Sequence, residues 1–436
     1  MFSRKESRVA KEDSGPPGWM EAPYRQSSNH RHRVSILALS MSLFVAAGQH
    51  TLAGGGHVLL HQGDVPYTIT TAGAYTLVEN MIRTNGAAIV VEASDVVIDL
   101  NGFRIAGGGT SGAIVQQSGQ HRLTVRNGQV GGDISAWYGI LSAGMGNRLE
   151  DLNLQSCSVS AIFSGPGAMV RRCVFRGNAP FDPEFAVLNL GPGSIAEDVR
   201  FDGSGSTAGA SLVRTGPGVI VRKMTASSTI AGANPTRLVL AGGGSVMSEL
   251  RTGGQSSTNT LITASGPVVL ADANLNDRVF LPTGGVIVDS VLSGFNHFGP
   301  GTMIDASFLS GSATNTGPML VHDTRWPASV QFGDRSLVRR SMIRFPLVAG
   351  SGSYYLDNTG QGLSFTGAAH RIEHNDVGTF RASNSGAEPN YLFIRNRLNR
   401  DDIFIQILDN TNGHWGAWAP DQTLLSTDRT WSNVKK

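Results

Sequence analysis

Cysteine is nearly absent: Cys157 and Cys173 are the only two in 436 residues, too few for a disulfide-stapled scaffold. Charge is sparse at 16% of residues, and the formal net charge of +2 demands neither nucleic acid nor an anionic membrane as partner. After residue 53 lysine is confined to Lys223, Lys435 and Lys436, so a lyase that works through a groove lysine has essentially one position to use. No His/Cys cluster has metal-site spacing, no Gly-Lys-Ser phosphate loop occurs, and no Gly-x-Ser-x-Gly elbow links a strand to a helix. Apolar residues at spacings of three and four are missing from the repeated units, which excludes a helical repeat.

What the chain has instead is a period. Leu270, Ile287, Ile304, Val321, Val338, Tyr355 and Ile372 follow one another at steps of 17 residues. A fixed step means a repeated structural unit. Leu270-Ala-Asp-Ala-Asn-Leu275, Ile287-Val-Asp-Ser-Val-Leu292, Ile304-Asp-Ala-Ser-Phe-Leu309 and Val321-His-Asp-Thr-Arg-Trp326 are successive instances. Their apolar positions alternate as in a strand with one buried face, and the third position favours residues that tolerate left-handed backbone or make Asx-turns. Each unit reads as a strand, a sharp corner and another strand. The same template places anchors upstream at Val125, Leu149, Val170, Ala196, Val221 and Met247, at steps of 21 to 26 residues. In-register strands joined by loops of variable length describe a solenoid.

The 55 glycines fit many tight turns, and Gly-Pro-Gly at residues 165, 191, 216 and 299 recurs just before the strands as a turn. Cys173 takes the inward fourth position of its unit, whereas Cys157 lies past the second strand of its own. The two do not stack, so both are expected to be small buried residues and not a disulfide.

Residues 1–33 form a polar leader with a basic end at Arg31-His32-Arg33, and translation could start at Met20 or later. Val34 to Ala47 has the length of a signal-peptide h-region, with cleavage after Ala47 or Ala53, so residues 34–53 are read as signal and cleavage region. An uncut signal anchor is the other outcome. The expectation is a secreted, periplasmic or cell-surface protein without an integral membrane domain once the signal is removed, with the folded domain spanning residues 54–436.

Pro66-Tyr-Thr-Ile-Thr, Gly73-Ala-Tyr-Thr-Leu77, Ala88-Ile-Val-Val91 and Val96-Val-Ile-Asp-Leu-Asn-Gly-Phe-Arg-Ile105 open this domain, followed by coils such as Val170-Arg-Arg-Cys-Val-Phe-Arg-Gly-Asn178. Over residues 64–400 the chain resembles bacterial secreted right-handed parallel β-helix proteins of the pectin-lyase-like superfamily. The resemblance implies an all-β, single-stranded right-handed parallel β-helix, of about thirteen or fourteen coils on the count of anchors. It implies no single reaction, because such proteins include pectate and alginate lyases, epimerases, polygalacturonases, phage tailspikes and non-catalytic surface proteins. Asp401-Asp402 and Asn412-Gly-His-Trp-Gly416 are poor substitutes for polygalacturonase motifs, and no calcium-lyase carboxylate set can be placed.

Stacking the units lets columns be read across coils. The third-position column is Asn127, Asp151, Arg172, Asp198, Lys223, Glu249, Asp272, Asp289, Ala306, Asp323, Arg340, Asp357 and His374. It reads as a corner whose side chains bond local backbone, or as a carboxylate row for Ca²⁺; Arg172, Lys223 and Arg340 interrupt that row, and Ca²⁺ stays the one cofactor left open. The outward second-position column alternates Arg126, Glu150, Arg171, Glu197 and Arg222, a charge ladder that helps fix register. Further on it gives Asp305, His322 and Arg339, with Arg325 projecting beside them. An acid, an imidazole and a guanidinium on one wall could abstract a proton beside a uronate carboxylate, although the ladder upstream carries charge pairs with no reaction.

After Ile372 the period breaks. Tyr391–Leu398 makes one more coil, Ile403–Leu408 reads as a strand of a different kind, and Trp415, Trp418 and Trp431 are placed in a C-terminal cap. Residues 54–80 are assigned the matching N-terminal cap. The functional expectation is an exported module that binds polysaccharide or cell-surface glycan, or serves structurally; a polysaccharide lyase or epimerase acting on acidic glycans is the alternative.

Overall fold

Alternation of inward and outward side chains governs each strand, and the repeated corner turns the chain so that the next strand again buries its apolar positions. The structure, a computed structural model, describes residues 57–178, 180, 184–204, 211–227, 237–253, 260–276, 278–315, 317–348, 351–366, 369–378, 380–384, 392–394, 397–398, 404–409 and 416–417. The leader and signal region lie outside these residues, as do Trp415, Trp418 and Trp431. Among the described residues no helix is long and apolar enough to cross a membrane.

The chain winds as an all-β parallel solenoid. Strands pair with the equivalent strand one coil on, as in Leu270↔Ile287, Ile287↔Ile304 and Ile304↔Val321, so the 17-residue step is the height of one coil. Coils of the regular region carry three strand segments, where the sequence pattern showed two, and the second and third run together as one strand in Arg325–Phe332 and Met342–Val348. One such coil consists of Val268–Ala271, Asn274–Leu275 and Arg278–Leu281. The third ladder escaped the pattern because its inward positions mix residue types, as in Phe298 and Asn315, and because the preceding turns vary.

The first ladder has seventeen rungs: the thirteen anchors, three strands before them and one after. Residues 58–77 are thus not a separate cap. Val58–Leu60 and Gly73–Leu77 stack in register below Val96–Asp99, while Tyr67–Ile69 joins the third ladder. Wider steps and the extra turn at Asn101-Gly102 hid these coils from the template. At the other end Leu392–Ile394 adds the expected coil. Phe404–Asp409 also proves ordinary, pairing parallel with Phe380–Asn384, and it is Gly416–Ala417 that lies antiparallel against it.

All thirteen third-position residues have left-handed backbone, with φ between 46° and 58°. Their N–H groups continue the ladder, as where Asp272 donates to Val288 O at 3.1 Å and Asp323 to Arg339 O at 3.2 Å. Several of their side chains pair across coils, as Arg340 does with Asp323 and His374 with Asp357, in place of the expected bonding to local backbone. Arg172 donates to both oxygens of Asp151, at 2.5 and 2.6 Å, and holds that carboxyl below its ordinary range.

At five corners of the regular region the residue after the corner turns its N–H inward, where a buried side chain of the next coil receives it. Ser290 Oγ accepts from Ala273 at 3.2 Å, Ser307 Oγ from Ser290 at 3.2 Å, Ser341 Oγ from Thr324 at 3.2 Å, Asn358 Oδ1 from Ser341 at 2.8 Å, and Asn375 Oδ1 from Asn358 at 2.8 Å. At these corners the internal polar ladder satisfies amides that the tight turn points at the core. Most of the remaining core is apolar, with Phe175 stacked on Phe201 at 4.8 Å and Trp326 edge-on to Phe298 and Phe332, but it also buries polar side chains such as the hydrogen-bonded pair Gln116 and Asn147. Both cysteines are free and buried, and burial pushes each thiol up to about 12.

Candidate functional site

Two places on the solenoid carry chemistry. The first is the wall read from the sequence. Register puts Asp305, His322 and Arg339 on consecutive coils, as the column requires. His322 Nδ1–H donates to Asp305 Oδ1 at 2.8 Å. Arg339, however, turns away to Asp357, with Nε 3.6 Å from Oδ2. The guanidinium at the imidazole belongs to Arg340, whose Nη2 lies 2.5 Å from His322 Nε2. Arg340 also donates to both oxygens of Asp323, at 2.9 and 2.7 Å. Strand alternation predicts Arg339, but a left-handed corner redirects the Cα–Cβ bond, and that swings the third-position side chain over the second-position row.

Since a guanidinium only donates, His322 Nε2 must accept, which places the ring proton on Nδ1 facing Asp305. The nitrogen able to take a proton from a substrate is therefore covered by Arg340. Arg325 lies one ladder over, its guanidinium 5.7 Å from the Phe308 ring centre, and packs on that ring.

Asp305, His322 and Asp323 present ligand atoms within 4.8 Å of one another. A cation here would have to displace Arg340 from Asp323 and His322. Two carboxylates and an imidazole under a guanidinium do not offer the six to eight oxygens, roughly, that Ca²⁺ takes. Along the same corner Asp289 is raised above the ordinary carboxyl range by burial and by the Asp272 and Asp305 carboxylates. Crowding of like charge thus persists along this edge.

The second place was not read from the sequence, because it belongs to the third ladder. A groove of 570 Å³ opens there, within the about 300–1,000 Å³ of small-ligand pockets. Phe295 and Phe345 flank it and are half exposed, at 47% and 46%. They stand three coils apart, about 14 Å at the ~4.8 Å strand spacing. Between them Ser312, Thr314, Ser329 and Gln331 bring hydroxyl and amide groups to a lining shared with Ala313, Val330 and Pro346. Thr314 Oγ1 is 3.0 Å from His297 Nδ1, and His297 stacks on Phe280 at 4.9 Å. The Arg344 guanidinium lies over the Phe345 ring, 5.2 Å from its centre. The strand Arg325–Phe332 slips register between Trp326 and Ser329, at Pro327-Ala328, so the coil is re-aimed where the groove opens. None of the described lining residues is a carboxylate.

No family model matches the chain, and no curated protein matches it. Among solved structures it aligns with the Streptococcus pneumoniae surface protein and adhesin PfbA, at 9% identity and a TM-score of 0.15, over 82% of this chain and 92% of that one. A score that low supports no argument about function. What the structure itself shows of the superfamily resemblance is the parallel solenoid architecture.

Proposed function

We propose that the chain is an exported solenoid module that binds glycan in the groove of the third ladder. The observation that carries this reading is a pair of half-exposed phenylalanines that line one groove together with the hydroxyl and amide side chains of Ser312, Thr314, Ser329 and Gln331. Aromatic faces pack on the C–H faces of sugars while hydroxyls and amides exchange hydrogen bonds with theirs, so one surface serves both sides of a pyranose. With no carboxylate in the described lining and Arg344 at one rim, neutral and anionic chains are both accommodated. The test is calorimetric titration of the full chain with oligosaccharides of alginate, pectate and neutral glucans. Phe345→Ala is expected to weaken binding about tenfold, roughly 1.4 kcal/mol, and His322→Ala to leave it unchanged. Full affinity after Phe345→Ala removes the groove from consideration.

The Asp305–His322 pair favours a second reading, a lyase or epimerase on uronate glycans. It requires Arg340 to leave His322 Nε2 so that the imidazole can take a proton. A rise in ultraviolet absorbance from unsaturated uronate, with or without Ca²⁺, and its loss in His322→Ala, would establish the lyase. A flat trace leaves binding as the leading function.

A further inference from the structure

The groove of the third ladder has a direction. Phe295, Ser312, Ser329 and Phe345 each stand one residue before the buried Asn296, Ala313, Val330 and Pro346, which follow one another in register on four consecutive coils. Alternation turns the four outward, all are exposed, and together they form one column parallel to the solenoid axis. Two residues further along their strands, His297, Thr314 and Gln331 make a second column, about 7 Å to the side. The coils thus differ in order along the axis. A phenylalanine beside an imidazole comes first, then two hydroxyls, then a hydroxyl and an amide, then the second phenylalanine. Both ends are braced: His297 stacks on Phe280 with its Nδ1 3.0 Å from Thr314 Oγ1, while Arg344 lies over Phe345 and donates to Gln361 Oε1 at 2.8 Å.

We infer, on the glycan reading above, that the ligand is a linear, extended chain lying along the solenoid axis with one sugar on each coil, its first and fourth rings on Phe295 and Phe345. A pyranose joined through opposite positions of its ring advances about one ring length per unit, close to the ~4.8 Å of one coil. Such a chain stays in step with the column across the whole groove. Its middle sugars meet the hydroxyls and amide of Ser312, Thr314, Ser329 and Gln331 while the outer two pack on phenylalanine. A chain that coils, or that is joined through a carbon outside the ring, loses step within a few units. An extended peptide is out of step as well, since its like-facing side chains recur at about 7 Å. The strands beneath the groove are also paired on both sides, which leaves a peptide no edge to extend. The two phenylalanines act together only on a ligand long enough to touch both.

The test is calorimetric titration of the full chain with cello-oligosaccharides and oligomannuronates of two to six units, both β-1,4-linked and extended, and with malto-oligosaccharides as the coiled counterpart. Affinity for an extended series is expected to rise about tenfold from three units to four and to level off beyond. Phe345→Ala is expected to remove that step while changing trisaccharide affinity no more than about twofold, because three units still reach Phe295. Equal affinity for the coiled series, no step between three units and four, or a Phe345→Ala loss that is the same for both lengths overturns the inference and leaves the glycan reading standing. So does binding of pectate oligosaccharides but of neither extended series. A chain that binds no oligosaccharide overturns both.

Discussion

Replacing Asn358 by alanine removes one side chain that three coils share. Its Oδ1 accepts from Ser341 N–H at 2.8 Å, and its Nδ2 donates to Val338 O at 2.9 Å and to Asn375 Oδ1 at 3.0 Å. Ser341, Asn358 and Asn375 are all buried, so water is a poor substitute. Orphaning the Ser341 amide costs about 1–3 kcal/mol and losing two further bonds about 0.5–1.5 kcal/mol each, so Asn358→Ala is expected to destabilise by about 2–6 kcal/mol. Asn358→Ser should recover part of this, since serine already fills that role at Ser307. The assay pairs urea unfolding with hydrogen exchange at the Ser341 amide, because a solenoid can open locally without unfolding throughout. Arg340→Ala at the adjacent corner is the control, with an expected cost of no more than about 1 kcal/mol for an exposed ion pair. If Asn358→Ala shifts the midpoint no further than Arg340→Ala, and Ser341 exchanges no faster, the internal ladder does not hold the corners.

Three other outcomes are expected. Ala306 is the one third-position residue without a polar side chain, held at φ 46°, so Ala306→Asn should stabilise by about 0.5–1 kcal/mol, read as a higher thermal midpoint. The raised Asp289 means that its charged form is the disfavoured one in the folded state; stability from this group is full below the ordinary carboxyl range and is lost as pH rises through the folded value. Asp289→Asn should therefore raise the melting midpoint at pH 7 and have little effect at pH 3. Cys157 and Cys173, with thiols at about 12 and no solvent access, should resist a thiol reagent at pH 8 and react with two equivalents after denaturation.

Much of the fold was legible because it is local. The 17-residue step, the buried anchors and the whole left-handed corner column are repeated decisions of a few neighbouring residues, and each is confirmed at its own position. What escaped involved either irregular positions or direction. The third ladder had no uniform inward residue. Arg340, not Arg339, reached His322 because alternation says nothing about where a left-handed corner aims its side chain.

The sequence by itself determined that this chain is a stack of β coils, because burial on one strand face and a left-handed corner are set by residue type and spacing. It determined equally that the two cysteines are buried thiols. Only the tertiary structure decided which outward residues meet. Phe295 and Phe345 are 50 positions apart in the chain and become the two walls of one groove only when three coil steps are stacked between them. The same stacking closes Arg340 over the imidazole of His322. Each of these depends on register between coils, which hydrogen bonding fixes across the sheet and no single stretch of sequence contains.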